Sequence, residues 1–117
     1  MKHGNKTRTL GRTRDARVAL LRSLARNLIM RGSMITTITR AKELRRLAER
    51  LVTIGRKNTL ASRRIIRARL GGDTEATNKM MKDVAPRYTE RPGGYTRITK
   101  LSVRLSDGSQ RARIEFI

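Results

Sequence analysis

Between Thr39 and Gly55 the chain reads TRAKELRRLAERLVTIG, where Ala41, Leu44, Leu47, Ala48, Leu51 and Ile54 recur at the helical period. A helix with one apolar stripe gains most of its stability by burying that stripe against another surface. Just before it, Ser33-Met34-Ile35-Thr36-Thr37-Ile38 is short and rich in β-branched residues, which predicts a strand. Near the other end, YTRITKLSVRL and QRARIEFI alternate in period two around Ser106-Asp107-Gly108-Ser109. Asp-Gly between alternating runs is a strong hairpin signal. In such a hairpin Leu101, Val103 and Leu105 would share a face with Ala112, Ile114 and Phe116, while Ser102, Arg104, Arg111, Arg113 and Glu115 point away. Ile98 is out of phase with Leu101, which predicts a bulge or twist near Thr99. The early strand needs partners, and only the hairpin can supply them. The expected fold is α/β of the α+β kind: one small domain with a three-stranded sheet, an early strand plus a C-terminal hairpin, covered on one face by about four helices.

The other helices are marked by their caps. Thr13 can cap a helix that begins RDARVALLRS, with Asp15 in its first turn and Gly32 at its end. Leu21, Leu24, Ala25 and Leu28 form its stripe. Arg22 and Arg26 lie four apart on the other side, so a nearby anion would stabilise them. In the helix of residues 39–55, Glu43 with Arg46 and Arg45 with Glu49 can pair along the exposed side. Thr59 can cap a third helix, LASRRIIRARL, with Leu60, Ile65, Ala68 and also Ile66 facing inward, and Arg63, Arg64, Arg67 and Arg69 crowding the rest. Asp73 can cap a fourth, TEATNKMMKDVA, which Pro86 would stop, with Ala85 already extended.

Charge restricts the partner. Lysines and arginines number 29 against nine acidic residues, a formal net charge of +20 that opposes compaction unless an anion neutralises it. The opening MKHGNKTRTLGRTR carries five Lys/Arg, one His and no acid before Asp15. It is too polar to fold alone and needs a polyanion to hold it down. It reads as a basic arm over 1–13, in front of a domain over 14–117. No apolar run approaches the ~18 residues of a membrane span. Cysteine is absent, and His3 is the only histidine.

Catalysis has little to work with. His3 has no rigid base–nucleophile geometry around it, and Walker, dinucleotide and metal-ligand spacings are missing. The expectation is a protein that is not an enzyme, with no cofactor and no small-molecule substrate. Binding is better supported: arginine forks fit phosphate oxygens, and phosphate contacts release counterions. Thr36, Thr37 and Thr39 could donate to phosphate or to a 2′-OH, or could serve as strand and cap residues. An irregular arm suits crevices in folded RNA better than a regular duplex, so RNA is preferred to DNA. A DNA-architectural protein is the alternative. A membrane-surface module is disfavoured because no Trp or Phe flanks the basic stretches.

The opening MKH with its R.L.R pattern, the block ITTI.RAKELRRLAERL, and APRY…RPGGYTRI.KL with its IEF ending together resemble the bacterial large-subunit ribosomal protein family L seventeen. The resemblance is collinear over essentially the whole chain, although GNKTRTLGRTRD departs from the family's usual wording in the arm. It implies one α/β domain in the large ribosomal subunit of the cytoplasm. The implied partners are the long ribosomal RNA and neighbouring ribosomal proteins near the polypeptide exit. Charge placement and resemblance together nominate Lys2, His3, Lys6, Arg8, Arg12, Arg14 and Arg17 for RNA contact in and behind the arm. Outside it they nominate Thr37, Arg40, Lys42, Arg63, Arg64, Arg91, Tyr95 and Arg97.

Overall fold

The computed structural model describes residues 13–117. The chain runs α1 (Arg14–Arg31), β1 (Ser33–Thr37), α2 (Ile38–Gly55), α3 (Leu60–Arg69), α4 (Thr74–Lys79), two tighter or wider turns, then β2 (Thr96–Val103) and β3 (Gln110–Phe116). Each helix start is set by a side-chain cap. Hydroxyls of Thr13, Thr37 and Thr59 accept from the N–H of Ala16, Arg40 and Ser62, and the Asp73 carboxylate accepts from that of Ala76. Gly32 closes α1 at φ 82°, a left-handed conformation that glycine adopts without a Cβ penalty. The direct step from strand to helix leaves no room for a loop. Ile38, expected in the strand, therefore opens α2, because the Thr37 cap turns the backbone one residue sooner.

The sheet is antiparallel in the order β1-β3-β2. Thus β3 is central, with Ile114 opposite Met34 on one side and Ile98 on the other. The pairing of β2 with β3 slips between Lys100 and Val103, close to the expected bulge. Only half of the expected inner face is buried. Ala112, Ile114 and Phe116 are buried, but Val103 is half-exposed and Leu105 lies fully in solvent. The loop of residues 104–109 is wider than a two-residue turn, with Gly108 N–H donating to the Arg104 carbonyl. Before the slip Thr96 and Ile98 take the inner positions of β2, and beyond it Leu101 is half-buried and Val103 stands opposite Gln110, on the Ala112 side of the sheet.

α1 and α2 cover the inner face, and α2 holds the centre. Ala41, Leu44, Ala48, Leu51 and Val52 are buried, joined in the core by Leu24, Ala25, Leu28 and Ile29 of α1. Glu43 was expected on the solvent side of α2 but is buried, with Arg46 3.1 Å from its carboxylate. The other expected pair, Arg45 with Glu49, forms at 3.7 Å near the surface.

Two further expectations fail for tertiary reasons. α3 buries Ser62, Ile66 and then Leu70, whereas Leu60, Ile65 and Ala68 are exposed. Ser62 tolerates burial because its hydroxyl lies 2.9 Å from that of Thr59. Ile66 is the residue that meets α2 at Gly55. Nor does the fourth helical stretch stop before Pro86. After α4 it widens into a π-helical turn, Met80–Val84, and tightens into a 3-10 turn, Ala85–Tyr88, with Pro86 near its start. Ala85 is right-handed helical and buried, its Cβ seated where Gly55 lacks one. Burial against α2 outweighs the local bias of a residue before proline.

Candidate nucleic-acid interface

Most of the basic charge sits in the described residues: 25 of the 29 lysines and arginines follow Thr13, together with all nine acidic residues. The acids are largely spent on internal pairs. Arg26 on α1 reaches both Asp73 and Glu75, so the anion that its helix face called for is supplied by α4. The Ala76 N–H holds the Asp73 carboxyl below its ordinary range, with Arg26 adding to the effect against partial desolvation. Arg104 and Asp107 pair across the hairpin loop at 2.8 Å, and that contact, helped by the Ser109 N–H, likewise lowers the Asp107 carboxyl. Lys79 meets Asp83 at 3.2 Å. The surplus positive charge is arginine on surfaces with few acids.

Two such surfaces stand out. α3 carries Arg63, Arg64, Arg67 and Arg69 and no acidic residue. Arg64 and Arg67 border an open recess with Ala68 and Gly72, and Arg22 of α1 donates to the Arg69 carbonyl beside it. The second surface is the outer face of the sheet, opposite the helices. Since Ala112, Ile114 and Phe116 point inward, Arg111, Arg113 and Glu115 point outward. Register sets Ile35 and Thr99 beside Arg113, and Ser33 and Arg97 beside Glu115. Arg111 is braced by the Ser102 carbonyl and hydroxyl at 3.2 and 3.1 Å. The gap between Arg97 and Glu115 is 3.9 Å, a loose pair.

Of the nominated residues, Lys2, His3, Lys6, Arg8 and Arg12 lie outside the described residues. Arg14 and Arg17 occupy the first turn of α1, at the end far from the sheet. Thr37 caps α2 with its acceptor oxygen and keeps its O–H as a donor; Arg40 follows in the first turn and Lys42 just after it. Arg64 is exposed, whereas Arg63 is half-buried and donates to Asn78 on α4, which ties part of its guanidinium to the fold. Arg91 donates back to the Gly93 carbonyl at 3.2 Å, and Arg97 stands on the open sheet face.

Tyr95 is a correction. Its ring is 1 % exposed, packed at 5.2 Å from Tyr88, and its hydroxyl accepts from Arg56 at 3.0 Å. It cannot stack on a base; a tyrosine two residues before Arg97 looked available only because pairing register was unknown. Tyr88 is packing too, its hydroxyl donating to the Ile117 carbonyl. The nomination missed Arg67, Arg111 and Arg113. Their signals were present in the acid-free helix and in the period-two alternation, but nothing local told which face stays open.

Among the described residues no cluster of acids, histidines or cysteines could hold a metal ion, and no helix is long and apolar enough to cross a membrane. The class defined by fold and surface is a small α+β domain that presents arginine rather than a catalytic pocket. Residues 20–117 match the family model described as Ribosomal protein L17. The chain is 50 % identical over 117 residues to "Large ribosomal subunit protein bL17" of Fusobacterium nucleatum, covering all of both chains. It is 46 % identical to the protein of that name from Persephonella marina, over all of this chain and 95 % of that one. For Campylobacter lari the identity is 44 %, over all of this chain and 99 % of that one. The chain belongs to the ribosomal protein L17 family. It is a structural protein of the ribosome and not an enzyme.

Proposed function

We propose that this protein is a constituent of the large ribosomal subunit that binds ribosomal RNA through its basic arm, residues 1–13, and through arginine surfaces of the domain that follows. The arm would thread between RNA segments. α1 would fix where the arm emerges, since Arg22 and Arg26 clamp the helix to the turn between α3 and α4. Neighbouring large-subunit proteins near the polypeptide exit would complete its surroundings, in the cytoplasm. The observation that carries the reading is the mismatch of charges: the carboxylates are mostly paired inside the fold, while Arg64, Arg67 and Arg113 face solvent without one. Phosphate is the counterion such surfaces suit.

The test is fractionation of a native lysate on a sucrose gradient after a wash in raised salt, followed by immunodetection. Retention with the large subunit is the expected result, and migration to the top of the gradient or to the nucleoid overturns the reading. A chain that starts at Thr13 keeps the α1 cap and should fold, yet fail to assemble into the subunit. Normal assembly of that chain overturns the role of the arm.

A further inference from the structure

We propose that the tip of the β2–β3 hairpin is a site for one unstacked nucleobase of RNA, held against Leu105 and Val103 beside the guanidinium of Arg111. That role rests on the RNA-binding reading above and adds a part of RNA that charge alone does not select.

At the tip Leu105 lies fully in solvent, and Val103 is half-exposed. A lone exposed leucine is ordinary, but this one stands on a turn that is built to hold it. The Arg104 carbonyl accepts from the Gly108 N–H at 2.8 Å, and the Arg104 N–H donates to the Ser109 carbonyl at 2.9 Å. The Arg104 guanidinium donates twice to the Asp107 carboxylate, at 3.0 and 2.8 Å, and the Ser109 N–H donates to the same carboxylate at 3.1 Å. The strand before the turn is fixed as well. Where the pairing of β2 with β3 slips, the Leu101 carbonyl accepts from the Gln110 side-chain amide and the Ser102 carbonyl from Arg111 Nε. Side chains thus hold the irregular stretch where the regular ladder lapses, and such stretches re-aim the side chains beside them. A leucine on a pre-ordered turn meets its partner with little loss of chain entropy.

Charge names that partner. Residues 96–113 carry Arg97, Lys100, Arg104, Arg111 and Arg113 against a single acid, Asp107. The acid is spent on Arg104, so the surroundings of Leu105 favour a polyanion. An apolar side chain gains nothing from phosphates; what it can cover in RNA is the face of a base. Paired bases hide their faces in the stack, so the base must be splayed out, as in a bulge or a loop. Aromatic rings are the usual platform for such bases, but Tyr88, Tyr95 and Phe116 are the only aromatics of the chain and all three are buried. The tip offers an aliphatic and guanidinium surface in their place. Ser102, Val103, Arg104, Leu105, Ser106 and Arg111 line one open recess there. Val103 and Leu105 are its apolar wall. The Arg111 guanidinium, braced by the Ser102 carbonyl and hydroxyl, supplies the planar cation that stacks on a base.

The experiment measures binding of the full-length protein to two RNA hairpins. One is fully paired, and the other is identical but for a single bulged fluorescent adenine analogue that brightens when it leaves the stack. Wild type should bind the bulged hairpin roughly tenfold more tightly, near the low end for a base seated on a side chain, and should brighten the reporter. L105A changes a fully exposed side chain, so it should melt like wild type, yet lose both the preference and the brightening. R111K keeps the charge but not the planar fork, and should bind the bulged hairpin less tightly than wild type does. Equal binding of the two hairpins by wild type overturns the proposal and leaves the RNA-binding reading intact. So does a preference that L105A keeps, even if that variant fails to enter the large subunit, which would make the tip a contact for protein. An R111K variant that binds like wild type overturns the part given to Arg111. If wild type binds neither hairpin, the RNA-binding reading itself falls.

Discussion

α2 and α3 are consecutive helices joined by four residues, and both are rich in arginine, yet they serve opposite ends. α2 buries Leu44, Ala48, Leu51 and Val52 under α1 and the sheet, and pairs Arg46 with Glu43 and Arg45 with Glu49. α3 buries only Ser62 and Ile66 within its ten residues, and keeps four arginines without one acid. Mutual repulsion along α3 is tolerable because the helix is capped by Thr59 and held by Ile66 and Leu70. Arginine content alone therefore does not distinguish a supporting helix from a presenting one. The placement of carboxylates does.

Core loss in α2 should have the largest effect. Leu51 is fully buried, so L51A is expected to lower unfolding free energy by about 2–5 kcal/mol in denaturant melts. A loss under about 1 kcal/mol would remove α2 from the centre of the core. Next comes the contact between α2 and the turn before Tyr88. A Cβ at Gly55 would lie 2.9 Å from the Ala85 Cβ, closer than two methyls can sit. G55A should therefore destabilise by up to about 2 kcal/mol in spite of alanine's better helix propensity, since overpacking costs about 1–3 and propensity returns about 1. A raised melting temperature would show that the two segments part easily.

Smaller still is the clamp that ties α1 to α4. D73A removes the α4 cap and the Arg26 pair, for about 0.5–2 kcal/mol. Its pH dependence has a definite sign. The Asp73 carboxyl titrates lower in the folded state than its ordinary value, so its contribution is complete above about pH 4 and is lost as pH falls through the lower, folded value. Melts below pH 4 should therefore fall less steeply for D73A than for wild type, and parallel curves would contradict the clamp. On α3, R64A should leave stability within about 0.5 kcal/mol of wild type while lowering the salt slope of RNA binding by about 1. A large loss of stability there would erase the contrast between the two helices.

The expected fold proved legible where the signal was local, and the failures share one cause. The bulge near Thr99 was anticipated, yet the exposure of Val103 and Leu105 was not: Val103 keeps the inner side, opposite Gln110, but stays half-exposed at that end of the hairpin. α3 offered Leu60, Ile65, Ile66 and Ala68 around its circumference, and only contact with Gly55 selects the Ile66 face. On the interface, Arg64 and Arg97 stand exposed as expected, whereas Arg63 is partly consumed by Asn78 and Tyr95 by the core.

By itself the sequence determined the caps of α1, α3 and α4, the apolar stripes of α1 and α2, the strand–helix succession and the excess of unpaired arginine. Those depend on residues within about four positions of one another, or on counting. Tertiary structure alone decided that β3 is central, that Arg26 finds its anions on α4, that Glu43 goes inside, and that Arg111 and Arg113 look out from an uncovered sheet. Each of those is settled by a surface from a distant part of the chain, and burial has no meaning until that surface arrives.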